Sequence, residues 1–434
     1  MSPPHLTALV SAAQRSSGAL SLLTSLCDDV GPRFPCTPGD AAAVAWALET
    51  MRAVGLGSVR AEPAPATLWQ RGAEACSLVL PSRREGLVVT ALGGSVPTEG
   101  VLEAEVVELA SLDALDALPE GALAGKVAYL HHVMPRLRDG TGYNGAAAVR
   151  TAGPSKAAKK GAAACLVRSA GTDSLRAAHT GALWYEPGAT PIPAAALAIP
   201  DAERLHRAIA AGRTHVSLRL DCAPLPVGTS ANVLGDLPGT DPSGEMVLFG
   251  AHLDSWDLSV GALDDGAGCA IALEVARLLA ALPTRPRRTI RFALFANEEL
   301  GIGGGRAYAD THASEAGRIV AAMEADQGDG APWALRVPAA AREHGVTREL
   351  VAALEPLGVA LDAGPSRGGV DISPLRQLGV PFVDLRQDAT RYFDFHHTEN
   401  DVLENVSPGD LRLATTAFAA AVYTLACADD RLPP

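Results

Sequence analysis

With 434 residues, 48% of them hydrophobic and 20% charged, the chain is long enough for two or three domains and too apolar for a disordered protein. A formal net charge of -13 argues against nucleic acid as the partner, since phosphate contacts need basic patches. No run of about 18 or more apolar residues occurs, so no membrane-spanning helix is expected.

The N-terminal stretch MSPPHLTALVSAAQRSSGALSLL has no basic segment followed by a continuous apolar one. The expectation is a cytoplasmic protein, or a secreted one if a leader has been removed. Two helices are predicted before residue 55. The second spans 39–54, with Asp40 as its N-cap and Gly55 as its stop. A loop rich in Pro and Gly, CDDVGPRFPCTPGD, separates them. Residues 58–81 read as strand, with TLWQRG as the turn. From about 89 to 226 the texture changes to short strands, such as 101–109 and 126–130, with one Lys-rich helix at 154–163. This stretch interrupts the strand–helix alternation and reads as an inserted domain, 89–226, within a domain made of 1–88 and 227–434. His131 and His132 are adjacent on a strand end, point to opposite faces and make poor joint ligands. The AHTGALWYEPG loop around His179 could line a substrate cleft.

Strand–helix alternation resumes at Ser230. Apolar runs at 246–250, 290–296 and 319–323 read as buried strands. A helix at 267–281 is closed by Pro283 and Pro286. Helices are predicted at 347–357 and 373–378, a strand at 381–385 and a final helix at 408–426. The seven cysteines include no CxxC pair, and their odd number argues against a disulfide framework. Buried free thiols are expected, at Cys165 and Cys269 in particular.

Each of the three apolar runs ends in residues that bind metal. His252 and Asp254 follow the first, Glu298 and Glu299 the second, and Asp326 the third. Open α/β sheets place their sites beyond the carboxyl ends of strands. Asp264 lies at a helix start, and RYFDFHHTEND at 391–401 adds His396 or His397. Singly, each acid is also what a turn or a helix cap carries. Together, His and carboxylate donors without thiolate suit zinc, manganese or cobalt. Asp254 is placed to orient His252. Asp264, Glu299 and Asp326 with one hydroxide would balance two divalent cations. Glu298 is left free to move a proton. Arg33, Arg367, Arg386 and Arg391 are unranked candidates for holding a substrate carboxylate.

The motifs GAHLDSWD, GALDDGAG, NEELG, MEADQG, GGVDI and FHHTEND together resemble the di-zinc exopeptidases related to bacterial and yeast aminopeptidases. Within these the chain is most similar to the carboxypeptidase Q (plasma glutamate carboxypeptidase) group. VGPR, WQRG, GKVAYL, AAKKGAAACLVRS and HTG extend the resemblance over nearly the whole chain. It implies an α/β fold of the phosphorylase/hydrolase-like kind, with a mixed, largely parallel central sheet flanked by helices. The insertion would be a small β-rich protease-associated-type domain. It implies two Zn2+ per chain. His252 and Asp326 would hold one, Glu299 and His397 the other, and Asp264 would bridge them. His397 is preferred to His396 because Thr398 follows it, as the family motif requires. Glu298 would be general base and then general acid, with Asp254 behind His252. His396, Tyr392, Arg391 and His179 are the candidate substrate residues. The implied activity is hydrolysis of dipeptides or short peptides, as a dipeptidase or carboxypeptidase, by a hydroxide between the zincs. An aminopeptidase with the same metal core is the alternative, and a non-catalytic peptide-binding module a remoter one. A homodimer is implied, with no nucleic-acid or membrane partner.

Overall fold

The computed structural model describes residues 5–434; the first four residues, part of the stretch searched for a leader, lie outside it. The chain divides into two compact units. One comprises Met1–Ala66, Val227–Tyr392 and Asp401–Pro434, the other Thr67–Pro226 and Phe393–Asn400. The forward division therefore falls between residues 66 and 67, where the sequence pattern placed it at 88/89.

The first unit is built on a five-stranded mixed sheet. Its order is Gly57–Gln70, Ala223–Leu237, Thr289–Phe295, Met246–His252, Ile319–Glu324. Met246–His252 lies between Thr289–Phe295 and Ile319–Glu324 and pairs in parallel with both. Thr289–Phe295 pairs antiparallel with Ala223–Leu237. Strands covered on both faces read as continuous apolar runs, and every residue of Met246–His252 is buried. Side chains alternate between the faces. Leu248 joins Ile372, Leu375 and Phe382 on one side. Phe249 stacks on Phe418 of the helix Pro408–Cys427 at 5.2 Å. The helix Ala267–Ala280 packs against both that helix and the strand Met246–His252.

Some local expectations shift. The early helix runs Pro38–Ala53, and its N-cap is Thr37, whose hydroxyl accepts from the Asp40 N–H at 3.3 Å. Proline is favoured at the first helical position, which fixes the start there. Asp40 instead accepts from the Cys36 N–H and the Ser230 hydroxyl, each at 2.8 Å. Ser373–Leu378 is a 3-10 helix, and the late strand is Asp384–Gln387 rather than 381–385. Pro381 has no N–H for a ladder, and only Phe382 bridges to Ala322 before that strand begins.

The second unit carries an eight-stranded sheet. Leu102–Leu109, Val127–Leu130, Ala164–Arg168 and Ala194–Leu197 run parallel through its middle. The Lys-rich helix expected at 154–163 is Tyr143–Lys159, with Pro154 inside it. A second helix, Ile199–Ala210, lies before the strand His215–Leu220. The segment Phe393–Asn400 is stitched into this unit. Thr172 donates its N–H to Phe393 O at 3.0 Å, and Arg136 pairs with Asp394 at 2.6 Å. All seven cysteines are free thiols, and only Cys36 and Cys427 are partly exposed.

Candidate metal centre

Three parallel strands of the first unit deliver their ends to one edge. The ladder sets His252 opposite Phe295, three residues before Glu298, and Gly250 opposite Glu324, two residues before Asp326. Donor atoms of His252, Asp264 and Glu299 lie within 4.8 Å of one another, and so do those of His252, Asp265 and Asp326. His252 Nε2 is 3.1 Å from Asp264 and 3.6 Å from Asp326.

Neighbouring groups fix these side chains. The turn after the second strand needs a left-handed residue, and Asn297 takes it at φ +55°. Asp254 accepts from the backbone N–H of Glu298 at 2.9 Å and of Glu299 at 3.2 Å, so one carboxylate sets the direction of both acids. Its link to His252 differs from the expected one. His252 Nδ1 meets the backbone oxygen of Asp254 at 3.0 Å, with the carboxylate at 3.8 Å. That bond still leaves Nε2 for a metal. The Asp pair divides its work. Asp265 accepts from the His252 and Gly268 N–H groups, both at 3.1 Å, and holds backbone. Asp264 is left to face the imidazole.

Two residues hold the loop from 253 to 264. Arg33 is fully buried and spends its guanidinium on carbonyls: Nε on Leu253 at 2.7 Å, Nη2 on Gly261 at 3.0 Å, and Nη1 on Val260. It is a structural clamp, buried among the carbonyls it holds. Asp401 accepts from the Leu263 N–H at 2.6 Å and the Asp264 N–H at 3.1 Å. In the sequence Asp401 stands out only as part of FHHTEND, with no task of its own. Glu324 and Asp371 are equally silent there. Glu324 accepts from the N–H groups of Val370, Asp371 and Ile372. Asp371 is buried with neither carboxylate oxygen hydrogen-bonded.

The electrostatics follow from crowding acids in a dry site. Burial pushes Asp254 up to about 7, against the pull of His252. Burial and the Asp264 charge push Asp401 up to about 7. Burial also carries Glu298 well above the carboxylate range; His252 opposes this, while Glu299, Asp326 and Asp254 reinforce it. Burial works against a proton on His252, but its bonds to Asp264 and Asp326 prevail and raise it. Buried carboxylates that raise one another in this way fit divalent cations, which neutralise them. Oxygen and imidazole donors without thiolate fit zinc.

Tyr392, in the same unit, is buried, and burial and the Asp264 and Asp326 charges hold its phenol well above its usual range. Arg391 and Arg367 are exposed, and Arg386 is half-buried. His396 and His397 belong to the second unit, where their rings stack at 3.6 Å. His397 Nδ1 meets Thr180 O at 3.2 Å. His179 is buried with both nitrogens engaged, Nδ1 by His396 O at 2.7 Å and Nε2 by Asp173 at 2.6 Å. It positions the histidine segment. His131 joins Glu108 and His206 in a group the sequence did not foresee, while His132 lies apart from it. Glu203 lies 3.1 Å from His131 Nε2, and the group forms a hydrogen-bonded cluster on the second unit.

Comparison with known proteins agrees with this geometry. Residues 232–422 match the model of peptidase family M28. Carboxypeptidase Q of Bos taurus is 32% identical over 99% of this chain and 89% of its own length. The chain belongs to peptidase family M28. The Mus musculus carboxypeptidase Q is also 32% identical, over 96% of this chain and 87% of its own. The M28 peptidase precursor from Shewanella amazonensis superposes with a TM-score of 0.96 at 39% identity, covering 99% of this chain and 97% of its own. A zinc aminopeptidase from Bacillus subtilis shares the fold, with a TM-score of 0.66 at 24% identity over 94% of this chain and 93% of its own. This M28 chain is thus a metallopeptidase with a mixed α/β fold, and the strand edge carries candidate metal-binding groups.

Proposed function

We propose that the protein is a di-zinc exopeptidase of the carboxypeptidase Q kind, cleaving dipeptides and short peptides with free ends. The observation that carries this is the strand-edge cluster of His252, Asp264, Glu299 and Asp326, with Glu298 beside it and outside the ligand set. His252 and Asp326 would hold one zinc, Glu299 and His397 the other, and Asp264 would serve both. The bound metals lower the pKa of water and polarise the peptide carbonyl. Glu298 takes the proton from the attacking water and returns it to the leaving amine. Asp254 keeps the Glu298 backbone aimed, and Asp401 and Arg33 keep Asp264 in place. Peptide contacts fall to Tyr392, His396 and Arg391, with His179 acting through the His396 backbone. The second unit serves as the protease-associated-type insertion, and two copies of the chain form a homodimer.

The deciding experiment is a hydrolysis panel on the zinc-loaded protein. It compares free dipeptides, the same peptides blocked at the N-terminus, and the same amidated at the C-terminus, with Glu298→Gln as control. Cleavage confined to peptides with both ends free supports the proposal. Cleavage that tolerates C-terminal amides moves the reading to an aminopeptidase. No cleavage with both metals bound refutes catalysis.

A further inference from the structure

The second unit gathers Glu108, His131 and His206, with Glu203 and Arg168 around them, and peptide hydrolysis uses none of the five. The ladder explains their meeting. Glu108 pairs with Tyr129 across the parallel strands Leu102–Leu109 and Val127–Leu130, so both side chains point to one face. His131 is two residues past Tyr129 and shares that face. Its N–H donates to Leu109 O at 3.1 Å, which carries the ladder one step beyond Leu130. Arg168 follows Val167, the partner of Leu130, and so stands beside His131. The helix Ile199–Ala210 is fixed to this face by the Tyr129 hydroxyl, which donates to Ala202 O at 2.9 Å. Glu203 and His206 are three residues apart, on one side of that helix.

Glu203 Oε1 accepts from Arg168 Nε at 2.9 Å and meets His131 Nε2 at 3.1 Å. An ionised carboxylate only accepts, so neutral His131 carries its proton on Nε2 and its lone pair on Nδ1. That Nδ1 is 3.7 Å from Glu108 Oε1, too far for a hydrogen bond. Two acceptors therefore face each other across this gap. His206 Nδ1 approaches the same Glu108 oxygen, at 2.7 Å. One donor atom from each of the three residues lies within 4.8 Å of the other two.

We propose that Glu108, His131 and His206 form a site for one divalent transition-metal cation such as zinc, sharing no residue with the strand-edge cluster. Two imidazole nitrogens and a carboxylate oxygen, without thiolate, are donors that zinc takes. Ligands about 2.0–2.2 Å from a tetrahedral ion lie roughly 3.3 Å apart. The two Nδ1–Oε1 separations, 3.7 and 2.7 Å, fall on either side of that value. Glu203 is the carboxylate that orients a metal-bound histidine through its other nitrogen. The His206 side chain is 45% exposed, so water can take the fourth position. The same exposure gives its ring room to turn off the His131 ring, on which it stacks at 4.5 Å. Binding moves the His206 proton from Nδ1 to Nε2. With both imidazoles neutral, Glu108 and Glu203 against Arg168 leave one negative charge for the cation to meet. The ion clips the helix Ile199–Ala210 to the ends of two strands.

The test dialyses the full chain against Zn2+ alone and counts bound metal by elemental analysis. Wild type should hold one zinc per chain more than His206→Ala, and His131→Ala should show the same loss. Glu203→Gln should weaken binding of that zinc about 10- to 100-fold, as for other carboxylates behind a ligand histidine. Equal zinc in wild type and His206→Ala overturns the proposal. A measurement on the unaltered protein guards against a variant that misfolds. Diethyl pyrocarbonate acylates imidazole nitrogen, and peptide mapping reads the extent at His206. Zn2+ should protect that residue. Equal reaction with and without Zn2+ also overturns the proposal, and is the result expected if a proton, not a metal, bridges His131 and Glu108.

Discussion

Replacing Asp401 by Asn separates metal affinity from fold stability. The Asp401 carboxylate accepts two backbone N–H bonds, from Leu263 at 2.6 Å and Asp264 at 3.1 Å. Bonds to an ionised acceptor are worth about 1.5–3 kcal/mol each. Asparagine keeps one oxygen and turns its amide toward the other N–H, so one bond is lost and two donors face each other. In the metal-free protein an opposing effect exists. Asp401 is a buried acid pushed up to about 7 beside Asp264, and removing its charge relieves the cluster. The two effects offset, so the metal-free variant should melt within a few degrees of wild type. In the loaded protein Asp264 is no longer held, and zinc affinity should fall about 10- to 100-fold, as for other residues that orient a ligand. That corresponds to about 1.4–2.7 kcal/mol. Competitive chelator titration gives the affinity, and thermal melts with and without zinc give the stabilities. Unchanged zinc affinity, or loss of the fold without zinc, would refute the reasoning.

Glu298→Gln should fold, hold two zincs and lose about 10²- to 10⁴-fold in kcat, the usual contribution of a general base; near-wild-type turnover would remove Glu298 from that role. Asp264→Ala should weaken both metals together, and loss of one alone in elemental analysis would contradict bridging. The metal-free protein should lose stability as pH rises. Folded-state affinities of Asp254 and Asp401 raised to about 7 contribute stability fully below about pH 4 and lose it through pH 7, roughly 4 kcal/mol per group as an upper bound. A chelated protein that melts higher at pH 8 than at pH 5 would show the acids are not so crowded, and zinc should flatten the profile. Leu248→Ala, at a fully buried strand centre, should cost about 2–5 kcal/mol in denaturant titration.

The strands that carry the site were legible because parallel strands buried on both faces leave long apolar runs. The acids and imidazole gathered at the strand edge were legible because they follow those runs at once. What stayed hidden depends on partners far along the chain. Asp401 binds backbone at 263 and 264, and Arg33 binds carbonyls between 253 and 261. No local spacing announces either contact. The helix start was misplaced for a smaller reason. Asp40 and Thr37 both suit a cap, and Pro38 decides between them.

The free thiols give the molecule its own unfolding gauges. Burial holds Cys27, Cys76 and Cys165 at about 12, so at neutral pH these thiols are almost wholly un-ionised and shielded from alkylation. Cys27 and Cys269 belong to the first unit, and Cys76, Cys165 and Cys222 to the second. A brief pulse of alkylating reagent during denaturation, followed by peptide mapping, would therefore time the opening of each unit separately, with no label engineered into either.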